Sequence, residues 1–322
     1  MKRIWTAILN LKAAVTAFEL PITACWLNKE TGEVAINQKP TDYPSFVLIL
    51  CNQDRPVYLS ETTTFVLAES GNLITLNERG IGVAEVLFLK KYLPYCLLAI
   101  KAKQYKRAIS VTHFAQTLDA KIATNTGDSK WIGNDENLIH AHRMRALCDG
   151  VLVGRKTVET DHPKLNVRHV CGNDPIRIVL GNPQSDFQSL LACSDAKILV
   201  FSKDEQLYEK AVTSIHMPLR RSQSTIEPVV ILQKLYELGI YSIYIEGGAK
   251  TTSIFIQSKA VDVIQLHIAP IIFGSGKSGI ELANIDLVKE AINFKEYHFL
   301  PFGDSVMFTG FLIGESRAES RD

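Results

Sequence analysis

Residues 151–168 read Val-Leu-Val-Gly-Arg-Lys-Thr-Val-Glu-Thr-Asp-His-Pro-Lys-Leu-Asn-Val-Arg, and the fold turns on them. The run 151–153 is wholly apolar, as a parallel strand covered on both faces must be. Gly154 ends it and lets the backbone turn tightly into a helix that opens on Arg155, Lys156 and Thr157. The free N–H groups and positive dipole end of that helix add to the two cations, which makes a place for phosphate. Asp161, His162, Pro163 and Arg168 then bring a second polar set on a proline-stopped loop. The spacing predicts a phosphorylated cofactor beside an anionic substrate.

The same device recurs at 241–254, Tyr-Ser-Ile-Tyr-Ile-Glu-Gly-Gly-Ala-Lys-Thr-Thr-Ser-Ile. A buried-looking strand ends in Glu246, Gly247 and Gly248, and a helix opens on Ala249, Lys250, Thr251 and Thr252. In open α/β sheets, ligands bind outside the carboxyl ends of the strands. Taken singly, either stretch also reads as an ordinary strand-to-helix turn. Outward from them the chain alternates. Strand-like runs lie at 109–113, 151–153, 176–180, 198–201, 243–245 and 263–268, and helical patterns at 137–147, 229–238 and 251–257. This predicts an α/β domain with a mostly parallel central sheet and helices on both faces. Two last candidates, 294–299 and 305–312, are expected to add antiparallel edge strands on either side of Pro301-Phe302-Gly303-Asp304.

A third segment, 117–133, reads Thr-Leu-Asp-Ala-Lys-Ile-Ala-Thr-Asn-Thr-Gly-Asp-Ser-Lys-Trp-Ile-Gly. With Met144-Arg145-Ala146, 153–158, 161–168 and Glu246-Gly247-Gly248, the chain resembles the pyrimidine reductases of riboflavin biosynthesis, which share the dihydrofolate reductase fold. With 117–123 and 127–132 counted separately, six ordered matches over roughly 140 residues are far more specific than one glycine motif. The likeness continues through Ala269-Pro270 and Gly274-Ser275-Gly276 and spans 108 to 313.

What the resemblance implies is NADPH-dependent reduction of a ribosylaminopyrimidine 5′-phosphate to its ribitylamino form. It puts Ala115, Trp131, Gly154, Thr157 and Asp161 at the cofactor, with Gly248, Ala249, Lys250, Thr251 and Thr252 around its pyrophosphate. It puts Ser129, Arg145, Leu165, Arg168 and Glu246 at the substrate. Arg145 and Arg168 are each suited to a bidentate grip on phosphate, and Glu246 to accepting from exocyclic amines. Asp161 is the expected catalytic group, with Lys121 the weaker candidate. Each has a plainer reading: Arg145 could pair with Asp149 one turn on, and Trp131 could be core. His140 and His142 are two apart on a helix, which argues against a metal pair. The Gly274–Gly279 letters match a dinucleotide fingerprint, but sit on a late strand exit and read as a loop near the site.

Three departures from the family pattern stand out. Ala120 replaces a glycine, His162 an aspartate, and Gly181-Asn182 an Asp-Ser pair at the end of the 176–180 strand. They leave two rival functions open: a reductase of this fold acting on another substrate, dihydrofolate included, or a non-catalytic nucleotide-binding protein.

The 322 residues are 46% hydrophobic with a net charge of +1, so there is no electrostatic case for nucleic acid. Cysteines at 25, 51, 96, 148, 171 and 193 lack metal spacing and read as reduced thiols of a cytoplasmic protein. Ile4, Ile8, Leu11, Val15 and Phe18 recur as on an amphipathic helix rather than a targeting segment. Glu85, Lys90, Lys91 and Pro94 rule the 83–100 run out as a membrane span.

Residues 1–106 read as a separate α+β region, with strand candidates at 46–51, 57–59, 65–68 and 73–76 and a helix near 83–89. The cationic run 101–107 reads as a solvated connection. No histidine precedes His113 and the cysteines there are lone, so this region cannot be the zinc deaminase that often accompanies such reductases. The reductase domain is expected at 107–315, followed by a flexible tail, 316–322, and a homodimer is expected.

Overall fold

In the computed structural model, helix α1 (Lys2–Ala17) buries Ile4, Trp5, Ala7, Ile8, Leu11 and Val15, the stripe its apolar spacing dictates. Phe18 lies just past its end in extended backbone. The structure describes residues 1–312 except 20, 39–45, 51–62, 68–72, 78–79, 184–186, 194, 205–206, 209–210 and 219–225. The strand candidate at 57–59, Cys51, Ala68 and the 316–322 tail lie outside the described residues. The chain divides into two units. One comprises Met1–Ile100, Phe294–Tyr297 and the described residues from Gly310; the other comprises Lys101–Asn293 and His298–Thr309.

In the first unit α1 is followed by β1 (Ala24–Leu27), β2 (Val34–Ile36), β3 (Phe46–Leu50), β4 (Thr63–Leu67) and β5 (Leu73–Asn77). They form a mixed sheet of order β2-β1-β3-β4-β5, in which only β3 and β4 are parallel. Helix α2 (Val83–Tyr92), a 3-10 turn at Leu93–Leu97 and helix α3 (Leu98–Tyr105) follow. Trp5 of α1 meets Phe88 and Tyr92 of α2 edge-on. The strands β1 and β2, only four and three residues long, escape a reading based on apolar runs.

The cationic run 101–107 is only in part a solvated connection: residues 104–106 are exposed, but the run also makes specific contacts. Helix α3 continues to Tyr105 and buries Ala102. Lys103 and Lys106 lie over the rings of Tyr241 and Tyr236, and Arg107 makes a bidentate pair with Asp262 at 2.8 and 2.6 Å. These cations found ring faces and a buried carboxylate in place of water.

The second unit alternates as its sequence dictates. In chain order come β6 (Ile109–Gln116), β7 (Lys121–Ala123), α4 (Asp135–Leu147), β8 (Gly150–Gly154), α5 (Arg155–Asp161) and β9 (Ile176–Leu180). Then follow α6 (Gln188–Leu191), β10 (Ile198–Ser202), β11 (Val212–His216), α7 (Pro228–Glu237), β12 (Ser242–Glu246) and α8 (Ala249–Gln257). The last are β13 (Val263–Ile268), β14 (Lys277–Ser278), β15 (Glu296–Phe302) and β16 (Ser305–Phe311). Nine of these strands make one sheet of order β11-β10-β9-β8-β12-β6-β13-β16-β15, parallel from β11 through β13. β7 pairs separately with β14.

This is the expected α/β architecture, a mostly parallel sheet with antiparallel strands at its C-terminal end. Two differences concern its C-terminal end. β15 runs on through Pro301 and Phe302, so only Gly303 and Asp304 separate it from β16, a link that joins antiparallel neighbours. β15 is the edge strand, whereas β16 lies inside it against β13. Among the described residues, no helix is long and apolar enough to cross a membrane.

Candidate active site

Of the parallel neighbours, β8 ends in Gly154 and β12 runs directly into Gly247, and their turns lock together. A Cβ on Gly154 would lie 2.7 Å from Thr251 Oγ1 of α8. On Gly247, at φ +140°, it would lie 3.2 Å from Thr157 Oγ1 of α5. Each helix therefore sets its threonine against the other strand's glycine. Thr252 adds a hydrogen bond from its hydroxyl to the Gly247 carbonyl at 3.2 Å. Backbone kept bare at two adjacent strand ends, under helix starts bearing Arg155, Lys156 and Lys250, fits a phosphorylated cofactor. Arg155 also packs over Gly181, where φ is +84° and a Cβ would meet its chain at 3.2 Å. The departure from Asp-Ser at this position thus has a steric reason.

Helix α4, capped by Asn134 accepting from the Asn137 amide, lays a polar stripe on the sheet. Glu246, His113 and Gln265 stand side by side on β12, β6 and β13. Each is answered from α4: Arg145 grips Glu246 through Nε and Nη2 at 2.6 Å each, Asn137 bonds His113 at 2.9 Å, and His140 bonds Gln265 at 3.0 Å. Arg145 therefore does not pair with Asp149, whose carboxylate accepts from the Tyr241 and Ser242 amides. Nor is its fork open for phosphate, because Glu246 fills it. Burial works against the Arg145 charge, yet the Glu246 carboxylate outweighs it and holds the guanidinium above its ordinary pKa. Glu246 keeps free lone pairs for further donors.

The segment 166–168 is held at successive backbone atoms. Arg145 Nη1 donates to the Asn166 carbonyl at 3.0 Å, the Val167 amide to Asp174 at 2.6 Å, and the Arg168 amide to His142 Nδ1 at 3.2 Å. The Arg168 guanidinium donates to Asn166 Oδ1 at 2.9 Å and is otherwise exposed. Partial burial and then repulsion from Arg145 hold its pKa below the ordinary value. One carboxylate thus faces two guanidiniums, leaving a residual positive field that an anion would offset.

Sequence reasoning weighed His140 only as a metal ligand and missed His113 and His267. His113, His140 and His267 are buried, and the rings of His113 and His140 approach to 5.1 Å. Both ring nitrogens of His267 and Nδ1 of His113 lack a hydrogen-bond partner. Burial lowers the His113 pKa far below 6.5 and that of His267 to about 4. Their signal was available: His113 and His267 sit within β-strand runs, where an isolated polar residue faces a helix rather than water.

The structure brings Gly154, Thr157, Gly248, Thr251 and Thr252 together at one cradle, and Arg145, Glu246 and Arg168 at one cluster. Ala115 is half-buried on β6, and Leu165 is buried in the left-handed region at φ +52°. Ala249 and Lys250 open α8. Asp161 is the exposed last residue of α5, accepting from the Thr160 hydroxyl at 2.9 Å. Lys121 begins β7 and donates to Ser278 at 3.4 Å. Ser129 and Trp131 are exposed on the loop between β7 and α4, so Trp131, 88% exposed, is not a core residue. The Gly274–Gly279 segment is anchored by Asp119, which accepts from the Phe273 and Gly274 amides at 3.1 and 2.8 Å. It is a loop and short strand, not a helix start.

The family model of the RibD C-terminal domain matches residues 110–308. The chain is 34% identical to riboflavin biosynthesis protein RibD of Aquifex aeolicus over 203 residues, 60% of this chain and 55% of that protein. It is 26% identical to the 2,5-diamino-6-ribosylamino-4(3H)-pyrimidinone 5′-phosphate reductase of Methanothermobacter thermautotrophicus, covering 62% of this chain and 96% of that protein. The match therefore spans about half of the bacterial RibD and nearly all of the archaeal reductase. In fold, the chain resembles RibD of Acinetobacter baumannii with a TM-score of 0.61 over 96% of this chain and 98% of that one, at 17% identity.

Proposed function

The chain belongs to the RibD C-terminal domain family, and from that premise we propose that residues 107–315 form an NADPH-dependent reductase. Its substrate is a ribosylaminopyrimidine 5′-phosphate, reduced to the ribitylamino product. One observation carries the reading: Glu246, paired with Arg145 and near Arg168, ends the strand that runs into bare Gly247, next to the strand that ends in Gly154. NADPH, when bound, supplies the hydride that the former anomeric carbon of the ring-opened imine receives, and nitrogen gains the proton. Gly154, Thr157 and Gly248 through Thr252 hold the cofactor, and Ala115 and Trp131 line it. Arg155 and Lys156 favour the extra 2′-phosphate of NADPH over NADH. Glu246, fixed by Arg145, accepts from the pyrimidine's amino groups, Arg168 grips the phosphate, and Ser129 and Leu165 complete the substrate wall. Asp161 stabilises the cationic imine, with Lys121 the next candidate.

Turnover with the phosphorylated ribosylaminopyrimidine, and none with dihydrofolate, is the expected result. NADPH oxidation with dihydrofolate alone would overturn it. Equal catalysis with NADH would overturn the cofactor choice. A cytoplasmic location accords with the free, buried thiols of Cys25, Cys96 and Cys148. A homodimer accords with exposed Ile272, Ile285, Val288 and Phe299, and sedimentation at micromolar concentration tests it.

A further inference from the structure

Arg168 is the one member of the substrate cluster whose guanidinium faces water, and a long flexible cation in water carries a large rotamer entropy. An arginine that must meet a phosphate gains from having that freedom removed beforehand. The segment bearing it is neither helix nor strand, so nothing in regular structure restrains it. It is restrained instead by side chains: Arg145 on the Asn166 carbonyl, Asp174 on the Val167 amide, and His142 on the Arg168 amide. The side chain of Asn166 then turns back onto the guanidinium. A guanidinium has only donors, so the atom of Asn166 it meets is the carbonyl oxygen.

His142 is fully buried, and its Nδ1 accepts the Arg168 amide, so its proton sits on Nε2, which lacks a hydrogen-bond partner. An orphaned buried N–H costs free energy that a leucine would not incur. The imidazole is thus retained for the acceptor at Nδ1.

We propose that Asn166 and His142 are positioning residues that pre-orient Arg168 for the substrate phosphate, Asn166 by holding the guanidinium and His142 by fixing the backbone that carries it. This rests on the reading of Arg168 as the phosphate anchor. Their action is on ground-state binding of the phosphate, so it falls on KM for the phosphorylated substrate and leaves kcat and NADPH affinity in place. Arg145 contributes to the same clamp through the Asn166 carbonyl, which no side-chain substitution at 166 removes.

The test is steady-state kinetics with the phosphorylated pyrimidine and its dephosphorylated form, with NADPH affinity measured separately. Asn166→Ala is expected to raise KM for the phosphorylated form about tenfold, the loss of one charge-assisted hydrogen bond. KM for the dephosphorylated form, kcat and NADPH affinity stay within about twofold. In an Arg168→Ala background the same substitution has no further effect, the signature of coupling through that arginine. His142→Leu is expected to act likewise, and His142→Asn, which keeps an acceptor at the δ position, to restore most of the loss. Should His142→Leu fail to fold, half-buried Asn166 carries the test alone. The clamp is overturned if Asn166→Ala raises KM equally for both forms, lowers kcat instead, or costs as much without Arg168 as with it. If Arg168→Ala itself leaves the preference for phosphate intact, the anchor reading has failed and the clamp falls with it. If Arg168→Ala abolishes that preference while Asn166→Ala does not, only the clamp has failed.

Discussion

The two units of this chain differ in what they bury. Among the described residues of Met1–Ile100, Thr64 is the single buried polar or charged side chain, set in a core of α1, β1, β3, β4 and α2 residues. Two thiols, Cys25 and Cys96, lie inside it, and burial pushes Cys25 up to about 12 and Cys96 well above its usual value. Such thiols are inert. The second unit buries His113, His140, His142, Arg177, Asp262, Gln265 and His267. Burying polarity costs desolvation, and a row of it persists where side chains must meet a ligand with fixed geometry. Both units bury an apolar core, but among the described residues buried charge and imidazole are confined to the second.

The comparison can be broken most directly at its apolar end. Leu11→Ala, at a position with no exposure, is expected to cost about 2–5 kcal/mol in urea unfolding while the folded fraction keeps its NADPH oxidation rate. A loss of catalysis at unchanged stability would erase the contrast. Asp161→Asn is the converse: unfolding is unchanged, since the carboxylate is exposed, while single-turnover hydride transfer falls on the order of a hundredfold. Transfer within a few-fold of the parent rate would pass the role to Lys121.

The buried histidines sharpen the contrast through pH. The folded-state pKa values of His267 and His142 are lowered by burial to about 4 and about 3 from 6.5, so above 6.5 both are neutral whether folded or not. As pH falls below 6.5 the unfolded chain takes up protons that the folded one refuses. Each histidine then removes up to about 1.4 kcal/mol per pH unit, and the loss levels off only below its folded value. Asp304 opposes the fall for His267, and repulsion by Arg145 and Arg168 adds to it for His142. Replacing His267 by Gln should flatten the acid limb of a denaturation series. An unchanged limb would show that this histidine is not penalised for charge.

The smallest effect concerns a departure from the family pattern. Ala120 has φ +61°, which a glycine adopts freely and an alanine does not. Ala120→Gly is expected to stabilise the protein by about 0.5–1 kcal/mol in thermal unfolding. Destabilisation would mean that the methyl contributes packing worth more than the strain.

Sequence reading did well where period and punctuation coincide, as at β8, β12 and β13 with the helices between them. Both glycine turns were legible as strand-to-helix turns, and only their recurrence and the third segment, 117–133, set them apart from ordinary ones. Short elements such as β7, β14 and α6 were not, since two to four residues carry no period. The Arg145–Glu246 pair joins residues 101 apart, which no local spacing reveals, and the plainer pairing with Asp149 was the only partner visible nearby. The histidine layer was hidden for the opposite reason. Polar residues in buried strands lower the hydropathy of a run without announcing what they face. Asn166 went unremarked because its role depends on a carbonyl and an amide oxygen acting on two different arginines.

The interlocked turns carry a consequence for inheritance. Gly154 is closed by Thr251 and Gly247 by Thr157, so neither glycine can acquire a methyl while the threonine opposite keeps its hydroxyl in place. Gly154 can gain a side chain only together with a change at Thr251, almost a hundred residues away, whereas Gly247 is held by its own φ of +140° as well as by Thr157. Two segments that look like repeated copies of one motif are thus constrained differently, and a library that randomises the first turn alone will recover mostly glycine at 154.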